Sequence, residues 1–225
     1  MDKPLEGIKI VEVAMWAFVP AAGGLLSDLG ADVIKIEPPS GDPLRGLQIG
    51  GMGGDGPGRN IDFSWESYNR GKRSVTLDLK QQAGREVLMK LVDGADVFLT
   101  NLLPRARRAM GIDAESIRTA FPGIIYASGS GMGPNGPESD KGGYDAISYW
   151  ARGSISATMT EDGATKPVGP PGPAFGDTAS GAMLAGAICA ALVKKLRTGK
   201  GSEVDVSLLG TAMWSMQRLI CQATQ

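Results

Sequence analysis

The chain has 225 residues, of which 42% are hydrophobic, so it can bury a sizeable core as one large domain or two small ones. Its 23 Lys and Arg residues and 24 Asp and Glu residues give a formal charge of -1, which argues against a dedicated nucleic-acid or membrane-surface binder, since both need a net basic face. The absence of histidine excludes Ser-His-Asp and Cys-His catalysis, histidine–metal sites and an imidazole proton shuttle within this chain.

Predicted strands and helices alternate through the first half of the chain. Apolar runs predict strands at residues 8–13, 31–37, 73–79, 95–100 and 123–128. Segments with helical periodicity or with Pro and Gly at their ends predict helices at residues 20–29, 82–92, 105–110 and 114–121. The Gly- and Pro-rich segment 38–60 predicts a long loop, either mobile or facing a ligand. The alternation indicates an α/β fold: a Rossmann-like, doubly wound, mainly parallel sheet with helices on both faces.

The pattern changes after residue 129. Helices are predicted at residues 144–151, 178–197 and 208–222, with a short strand at 203–207. The chain stops without a Gly or Pro signal, which predicts that it ends within a larger architecture. No basic and apolar leader opens the sequence, and the longest apolar run, 181–193, is too short for an ordinary spanning helix. We therefore expect a cytoplasmic protein that does not enter a membrane.

Two segments match the G-x-G-x-x-G pattern of dinucleotide-binding proteins, GMGGDG at 51–56 and GMGPNG at 131–136. The pattern has meaning only where a strand leads through it into a helix whose N-terminus meets the pyrophosphate. The first segment follows no predicted strand, and the second contains one proline and precedes another, so we interpret neither as a nucleotide site. The first strand–helix turn has no such pattern, which argues against a nicotinamide-dependent dehydrogenase.

Basic residues cluster in NRGKRS at 69–74 and in LLPRARRAMG at 102–111, each beside a predicted strand edge. Each cluster is either ordinary solvated surface or an anion clamp, since guanidinium groups pair with phosphate through two hydrogen bonds. Their positions favour the clamp, because open α/β sheets bind ligands at strand ends. Trp16 and Phe18, on the first strand–helix turn, either pack in the core or stack on a planar ring.

Two acidic residues follow glycines in the second half of the chain. Asp145, next to Tyr144, either faces a cavity or lies at a helix N-terminus, where the helix dipole favours a carboxylate. Asp177 stands where a loop turns into an apolar helix and is a good candidate for its N-cap. Gly176 and Gly181 leave Asp177 approachable, and a carboxylate can attack an activated acyl group. A position near a helix N-terminus would keep Asp177 ionised, so both interpretations stay open.

Six segments, in order and spacing, carry a family resemblance: PLEGIKIVEV, LLSDLGADVIKIEPPSGDPLRG, YNRGKRSVTLDLK, ADVFLTNLLPRARRAMGID, IIYASGSGMGPNGP and GPAFGDTASGAMLAGAICAALVKKLRTGKGSEVDVSL. They span essentially the whole chain, which resembles the family III CoA-transferases, a family that includes formyl-CoA transferase and, as a divergent branch, α-methylacyl-CoA racemase. The resemblance implies the Rossmann-like large domain of that family over residues 1–225, with the C-terminal small domain and return segment absent. Racemases of the family pair their aspartate with a histidine where this chain has Tyr144, which favours a transferase.

The resemblance implies that Asp177 is the catalytic nucleophile. It would attack an acyl-CoA thioester to give an aspartyl mixed anhydride, and CoA would then pass through an aspartyl-CoA thioester to an acceptor carboxylic acid. This scheme needs no metal and no tightly bound cofactor, since coenzyme A and acyl-CoA are substrates. Relatives often carry a CoA-contacting arginine where this chain has Ala109. Arg108, one position earlier, is the residue of this chain that is predicted to make that contact. The other implied CoA contacts are Ala17, Phe18, Leu77, Lys80, Asn101, Leu102, Leu103, Tyr144 and Asp145.

The resemblance also bears on assembly. Family members form interlocked dimers in which each chain threads through a ring made by the other. This chain is therefore expected to be either a fragment or a subunit, acting as a homodimer or with a chain that carries the missing C-terminal half. A racemase or isomerase of the same family, and a non-catalytic subunit in which Asp177 is only a helix cap, stay open as alternatives.

Overall fold

The computed structural model describes residues 2–47 and 62–225. Within them, six parallel strands form one sheet: β1 Lys9–Val13, β2 Asp32–Glu37, β3 Arg73–Thr76, β4 Val97–Thr100, β5 Ile125–Ser130 and β6 Ser202–Ser207. The strand order is β3-β2-β1-β4-β5-β6. The predicted α/β fold with a parallel sheet is confirmed, and every predicted strand is present within three residues of its expected bounds.

Nine α-helices occur in the described part of the chain: α1 Phe18–Asp28, α2 Phe63–Asn69, α3 Gln82–Val92, α4 Pro104–Met110, α5 Ala114–Ala120, α6 Ile155–Met159, α7 Phe175–Thr198, α8 Leu208–Ser215 and α9 Gln217–Ala223. A π-helix, Ala146–Ala151, lies between β5 and α6. The sequence pattern predicts neither α2 nor α6. The single helix expected at 208–222 is wrong, because Met216 leaves helical geometry and separates α8 from α9.

The two glycine patterns have different outcomes. GMGPNG at 131–136 is a loop that follows β5 and leads into no helix, so the argument against a dinucleotide fingerprint is confirmed there. GMGGDG at 51–56 lies outside the described residues, as does most of the predicted loop 38–60.

Buried apolar side chains form two layers, one on each face of the sheet. In the first layer, Leu26 of α1 and Leu184 of α7 pack with alternate residues of β1, β4 and β5. In the second layer, Leu88 of α3 and Ile117 of α5 pack with the intervening residues of the same strands, whose side chains point to the opposite face of the sheet. Successive strand residues point to opposite faces, so a strand covered on both faces is apolar throughout. The predicted helices on both faces are therefore confirmed.

Helix α7 packs closely on α1. At Gly181 a Cβ atom would lie 2.7 Å from the Cβ atom of Ala21 and 2.9 Å from the carbonyl oxygen of Phe18, so the approach requires glycine. With 24 residues, α7 extends beyond the apolar run 181–193 and is long and apolar enough to cross a membrane, contrary to expectation. Its packing on α1 is that of a core helix. This packing places Asp177, in the first turn of α7, beside the N-terminal end of α1.

The sheet reverses its winding between β1 and β4. From β1 the chain moves outward to β2 and β3, and it then returns to add β4 on the other side of β1. In open α/β sheets, ligands bind at such a reversal, beyond the carboxyl ends of the strands. The segments that leave β1, β4 and β5 at this edge are therefore expected to form the site.

Candidate active site

A cleft of about 430 Å³ opens at the reversal point. Its polar and charged lining includes Asn101, Arg105, Arg107, Lys141 and Asp177, of which Asp177 is the only acid among the described lining residues. Its apolar and aromatic lining consists mainly of Met15, Trp16, Phe18, Leu102, Leu103, Tyr144 and Leu208. The cleft therefore brings together seven of the residues that the sequence singles out: Trp16, Phe18, Asn101, Leu102, Leu103, Tyr144 and Asp177.

Asp177 is a partly buried carboxylate at the third residue of α7. No described residue donates a hydrogen bond to its side chain. Burial, with a smaller contribution from the negative charge of Asp145, raises the pKa of Asp177 to about 7. The expectation that this position keeps Asp177 ionised is therefore not supported near neutral pH, because burial disfavours the charged form.

The N-terminus of α7 is held by Asp145, which comes from another segment of the chain. Asp145 is 7% exposed, and both of its carboxylate oxygens accept the main-chain N–H of Gly176 at 3.1 Å. Burial raises the pKa of Asp145, and the hydrogen bonds from Gly176 and Phe175 oppose that rise. The N-cap position is Ala174, and it has no side-chain cap. The interpretation of Asp177 as the cap is therefore wrong, and its carboxylate is left to the cleft.

The raised pKa of Asp177 predicts a pH-dependent stability. From an ordinary value of 3.8, the folded-state pKa rises to about 7, so the folded protein binds this proton more tightly than the unfolded chain does. The resulting stability is greatest below about pH 4 and is lost as the pH rises to about 7, with an upper limit of about 4 kcal/mol. We therefore expect the difference in free energy of unfolding between the parent and Asp177→Asn to change between about pH 4 and about pH 7. Urea titration of both proteins at several pH values measures it. A pH-independent difference would contradict the desolvation of this carboxyl.

The turn between β1 and α1 forms one wall of the cleft and is fixed by two side chains. The Asn101 amide accepts the N–H of Met15 at 3.0 Å and donates to the carbonyl of Met15 at 2.6 Å. Asp42 accepts the N–H of Trp16 at 3.1 Å. Asn101 thus uses its amide oxygen and one amide N–H to hold the protein main chain, and it also lines the cleft, so its assignment as a CoA contact stays a prediction.

Asp42 belongs to a buried group of charges behind this wall. Lys35 donates to the carbonyl of Ala14 at 2.8 Å and pairs with Glu12 at 3.2 Å and with Asp42 at 2.9 Å. Lys72 pairs with Glu12 at 2.8 Å. The side chains of these four charged residues are at most 2% exposed. Because two cations meet two anions, the group carries no net charge, and it ties the β1–α1 turn to β2 and β3.

The two basic clusters differ in their placement. Arg105 and Arg107, from the cluster at 102–111, line the cleft, as does Lys141 from the loop after β5. Arg108, the residue singled out from that cluster, does not line the cleft; it is exposed and lies 3.5 Å from Asp140. Its role as a CoA contact gains no support, because α4 directs its neighbours into the cleft instead.

The cluster at 69–74 does not form an anion clamp. Each of its three cations has a carboxylate partner: Arg70 pairs with Asp28, Lys72 with Glu12, and Arg73 with Asp32. None of the three lines the cleft. Their charges are neutralised within the protein, so the predicted clamp is not supported here; Arg70 and Arg73 lie on the surface as solvated residues, whereas Lys72 is buried.

The remaining predicted contacts lie at the edges of the site. Phe18 is 6% exposed and packs in the core while its ring edge lines the cleft; Ala17, just before α1, is buried. Leu77 follows β3 and packs in the second apolar layer, whereas Lys80 is exposed. Neither Leu77 nor Lys80 lines the cleft, although both lie at the carboxyl edge of the sheet. Their assignment as CoA contacts stays a prediction.

The chain matches the family model described as CoA-transferase family III over residues 5–225. It is 39% identical over 219 residues to (R)-2-hydroxy-4-methylpentanoate CoA-transferase of Clostridioides difficile and 36% identical over 220 residues to cinnamoyl-CoA:phenyllactate CoA-transferase of Clostridium sporogenes. It is 38% identical over 210 residues to the human succinyl-CoA:glutarate CoA-transferase. These alignments cover 97%, 98% and 93% of this chain but 54%, 52% and 46% of the relatives, so the chain spans about half their length.

Solved structures also match nearly the whole of this chain and extend beyond it. A hypothetical protein from Mycobacterium tuberculosis is 30% identical with a TM-score of 0.87, and the match covers 99% of this chain and 59% of that one. A CaiB/BaiF family protein from Brucella suis is 33% identical with a TM-score of 0.86, covering 99% and 57%. The resemblance carried by the six sequence segments is confirmed: the chain belongs to CoA-transferase family III.

Proposed function

We propose that this chain supplies the catalytic aspartate and much of the CoA-binding surface of a CoA-transferase. The observation that supports this most directly is the environment of Asp177. Its carboxylate is partly buried, receives no hydrogen bond from the described residues and opens into a cleft whose other charges are basic. A poorly hydrated carboxylate in contact with a cleft is suited to attack an acyl carbon.

In the proposed reaction, an oxygen of Asp177 attacks the thioester carbonyl of the donor acyl-CoA. A C–O bond forms and the C–S bond breaks, which gives a mixed anhydride and CoA thiolate. The thiolate then attacks the Asp177 carbonyl, releasing the donor acid as a carboxylate and leaving an aspartyl-CoA thioester. An acceptor carboxylate attacks that thioester and expels CoA thiolate, which leaves a second mixed anhydride between the acceptor and Asp177. The thiolate then attacks the acceptor carbonyl of this anhydride, which releases the new acyl-CoA and restores the Asp177 carboxylate. Each step exchanges one activated acyl bond for another, so no ATP is needed.

Other residues of the cleft support this scheme. Asp145 fixes Gly176 and so sets the direction in which the first turn of α7 presents Asp177. Arg105, Arg107 and Lys141 line the cleft and would attract the phosphates of CoA. Near pH 7 about half of the Asp177 carboxyl is ionised, because its pKa is about 7, so the nucleophilic form is available.

The identities of the donor and acceptor acids are not given by similarity. By name, the relatives act on a branched-chain hydroxy acid, on aryl acids and on dicarboxylic acids, at 39%, 36% and 38% identity to this chain. Because these identities are nearly equal, the choice among these substrate classes must come from particular residues of the cleft.

We also propose that the other half of the relatives' length completes the site, either by continuation of this polypeptide or from a partner chain. The chain covers 54% of the first relative. In addition, α8 and α9 leave Met213, Trp214, Leu219 and Ile220 between 40% and 61% exposed. Exposed apolar groups in such number are typical of a surface that another segment covers. Both a homodimer and a complex with a second chain agree with this proposal.

Trapping of the covalent intermediate tests the proposed function. We expect acyl-CoA, followed by rapid acid quenching and proteolysis, to add the mass of the acyl group or of CoA to the peptide that contains Asp177. Asp177→Asn should show no such adduct. The same experiment, run with the chain alone and with a protein that supplies the missing half, tests the completion of the site. An adduct on another residue, or none in either sample, would contradict the assignment of Asp177.

A further inference from the structure

Trp16 has a strained main chain at the wall of the cleft. Its φ angle is 68°, in the left-handed region that residues with a Cβ atom rarely adopt. Such strain persists only where surrounding contacts impose it, and it is concentrated at functional sites. Here the Asp42 carboxylate accepts the N–H of Trp16, and the Asn101 amide bonds both the N–H and the carbonyl of Met15. Glycine would adopt this conformation without strain, so the main chain favours glycine at this position, yet the chain has a tryptophan there.

The ring of Trp16 meets a second aromatic ring. Trp16 and Tyr144 pack edge to face, with 5.7 Å between ring centres and 86° between ring planes. Both line the cleft, and Tyr144 is 61% exposed, so the pair presents aromatic surface to a ligand. Tyr144 directly precedes Asp145, which holds Gly176 next to Asp177. The aromatic pair is thereby connected to the turn that carries the proposed nucleophile.

On the basis of the proposed function, we infer that Trp16 and Tyr144 form the wall against which the acyl group of the CoA thioester packs. Trp16 is then a specificity-determining residue that selects an apolar acyl group, aryl or branched-chain, over a short dicarboxylic one. An aryl group gains contact with two rings in edge-to-face or offset geometry. A second carboxylate packed against the carbon faces of the same rings would lose hydration without gaining a hydrogen bond from those faces.

Binding of two stable CoA thioethers tests this inference. Phenylpropyl-CoA and carboxypropyl-CoA cannot be attacked by Asp177, so calorimetry on the protein in its active assembly measures affinity alone. We expect the parent to bind the phenyl compound about 10-fold more tightly than the carboxyl compound. Trp16→Gly should remove that preference and leave the affinities for carboxypropyl-CoA and free CoA within about 2-fold of the parent. Trp16→Phe should keep most of the preference.

The choice of glycine guards against a loss of folding. At a φ of 68°, Trp16→Gly should be more stable than Trp16→Ala in thermal unfolding, because glycine relieves the strain. Phe63→Ala, which removes an exposed aromatic ring from α2 outside the cleft, serves as the control and should change no affinity.

Three outcomes would overturn the inference. The first is tighter binding of carboxypropyl-CoA than of phenylpropyl-CoA by the parent. The second is a preference for phenylpropyl-CoA that persists in Trp16→Gly. An equal loss of affinity by Trp16→Gly for both thioethers and for free CoA would assign Trp16 to the CoA portion, leaving the proposed function intact. Failure of the parent, in its active assembly, to bind free CoA or either thioether would instead contradict the proposed function itself.

Discussion

Asp177→Asn is expected to lower CoA transfer by about 10⁴-fold, while the affinity for CoA stays within about 2-fold of the parent. The amide has nearly the shape of the carboxyl group but cannot form the anhydride, so the loss falls on turnover rather than on binding. The measurement is kcat and the dissociation constant of CoA, taken on the protein in its active assembly. The partial burial of Asp177 predicts no loss of folding, because the neutral amide replaces a poorly hydrated charge.

A matched substitution separates this effect from a general loss of charge near the cleft. Asp140 is an exposed acid on the loop after β5, where its partner is Arg108. Asp140→Asn should leave kcat unchanged within about 2-fold, because exposed ion pairs contribute little to stability and this one does not line the cleft. If Asp177→Asn kept more than about one hundredth of the parent turnover, Asp177 would not be the nucleophile.

Glu12→Gln is expected to lower the free energy of unfolding by about 3–5 kcal/mol. Glu12 is fully buried and contacts Lys72 at 2.8 Å and Lys35 at 3.2 Å. Its neutral analogue leaves two buried ammonium groups with Asp42 as their remaining anion, and neither cation can reach water. Urea unfolding of both proteins measures the difference.

Arg73→Gln is the control for Glu12→Gln. It also breaks an ion pair, that with Asp32, but the two side chains are 63% and 44% exposed. The expected cost is at most about 1 kcal/mol, because water screens the pair and replaces its hydrogen bonds. Equal costs for the two substitutions would mean that the buried charges are solvated and do not hold the β1–α1 turn in place.

The centre of the sheet could be predicted from the sequence because its central strands are mainly apolar on both faces. The residues of β4, VFLT, are all buried, and such a run has few alternatives to a central parallel strand. Helix α2 could not be predicted, since FSWESYN has no clear apolar face. Its first turn depends on Asp62, which accepts the N–H of Trp65, and on the Arg45 guanidinium stacked 3.5 Å from the ring of Trp65. The second of these contacts comes from a separate segment.

The candidate site could be predicted only in part, because contacts between distant segments of the chain also determine it. The position of Asp177 at a loop–helix junction identifies a candidate, but local sequence equally favours a cap. The structure decides against the cap because Asp145, 32 residues earlier, holds the helix N-terminus instead. Asp42 and Lys141 also escape prediction, since their importance depends on which segments the sheet brings together. For Lys141 the available signal is the glycines of GSGMG, which begins within β5 and continues past its end: a Cβ atom on Gly131 would meet the main chain of Gly143.

The Asn101 side chain has a consequence for the way substrates enter. By bonding both polar groups of Met15, it joins the ends of β1 and β4 across the reversal point, so this side of the cleft cannot widen unless two hydrogen bonds break together. The opposite side, the loop between β5 and the π-helix, is held at Glu138 by exposed ion pairs with Lys141 and Arg152, which cost little to separate. One side of the cleft is therefore held by two main-chain hydrogen bonds and the other by exposed ion pairs, so we expect the loop after β5 to be the side that moves when a ligand enters.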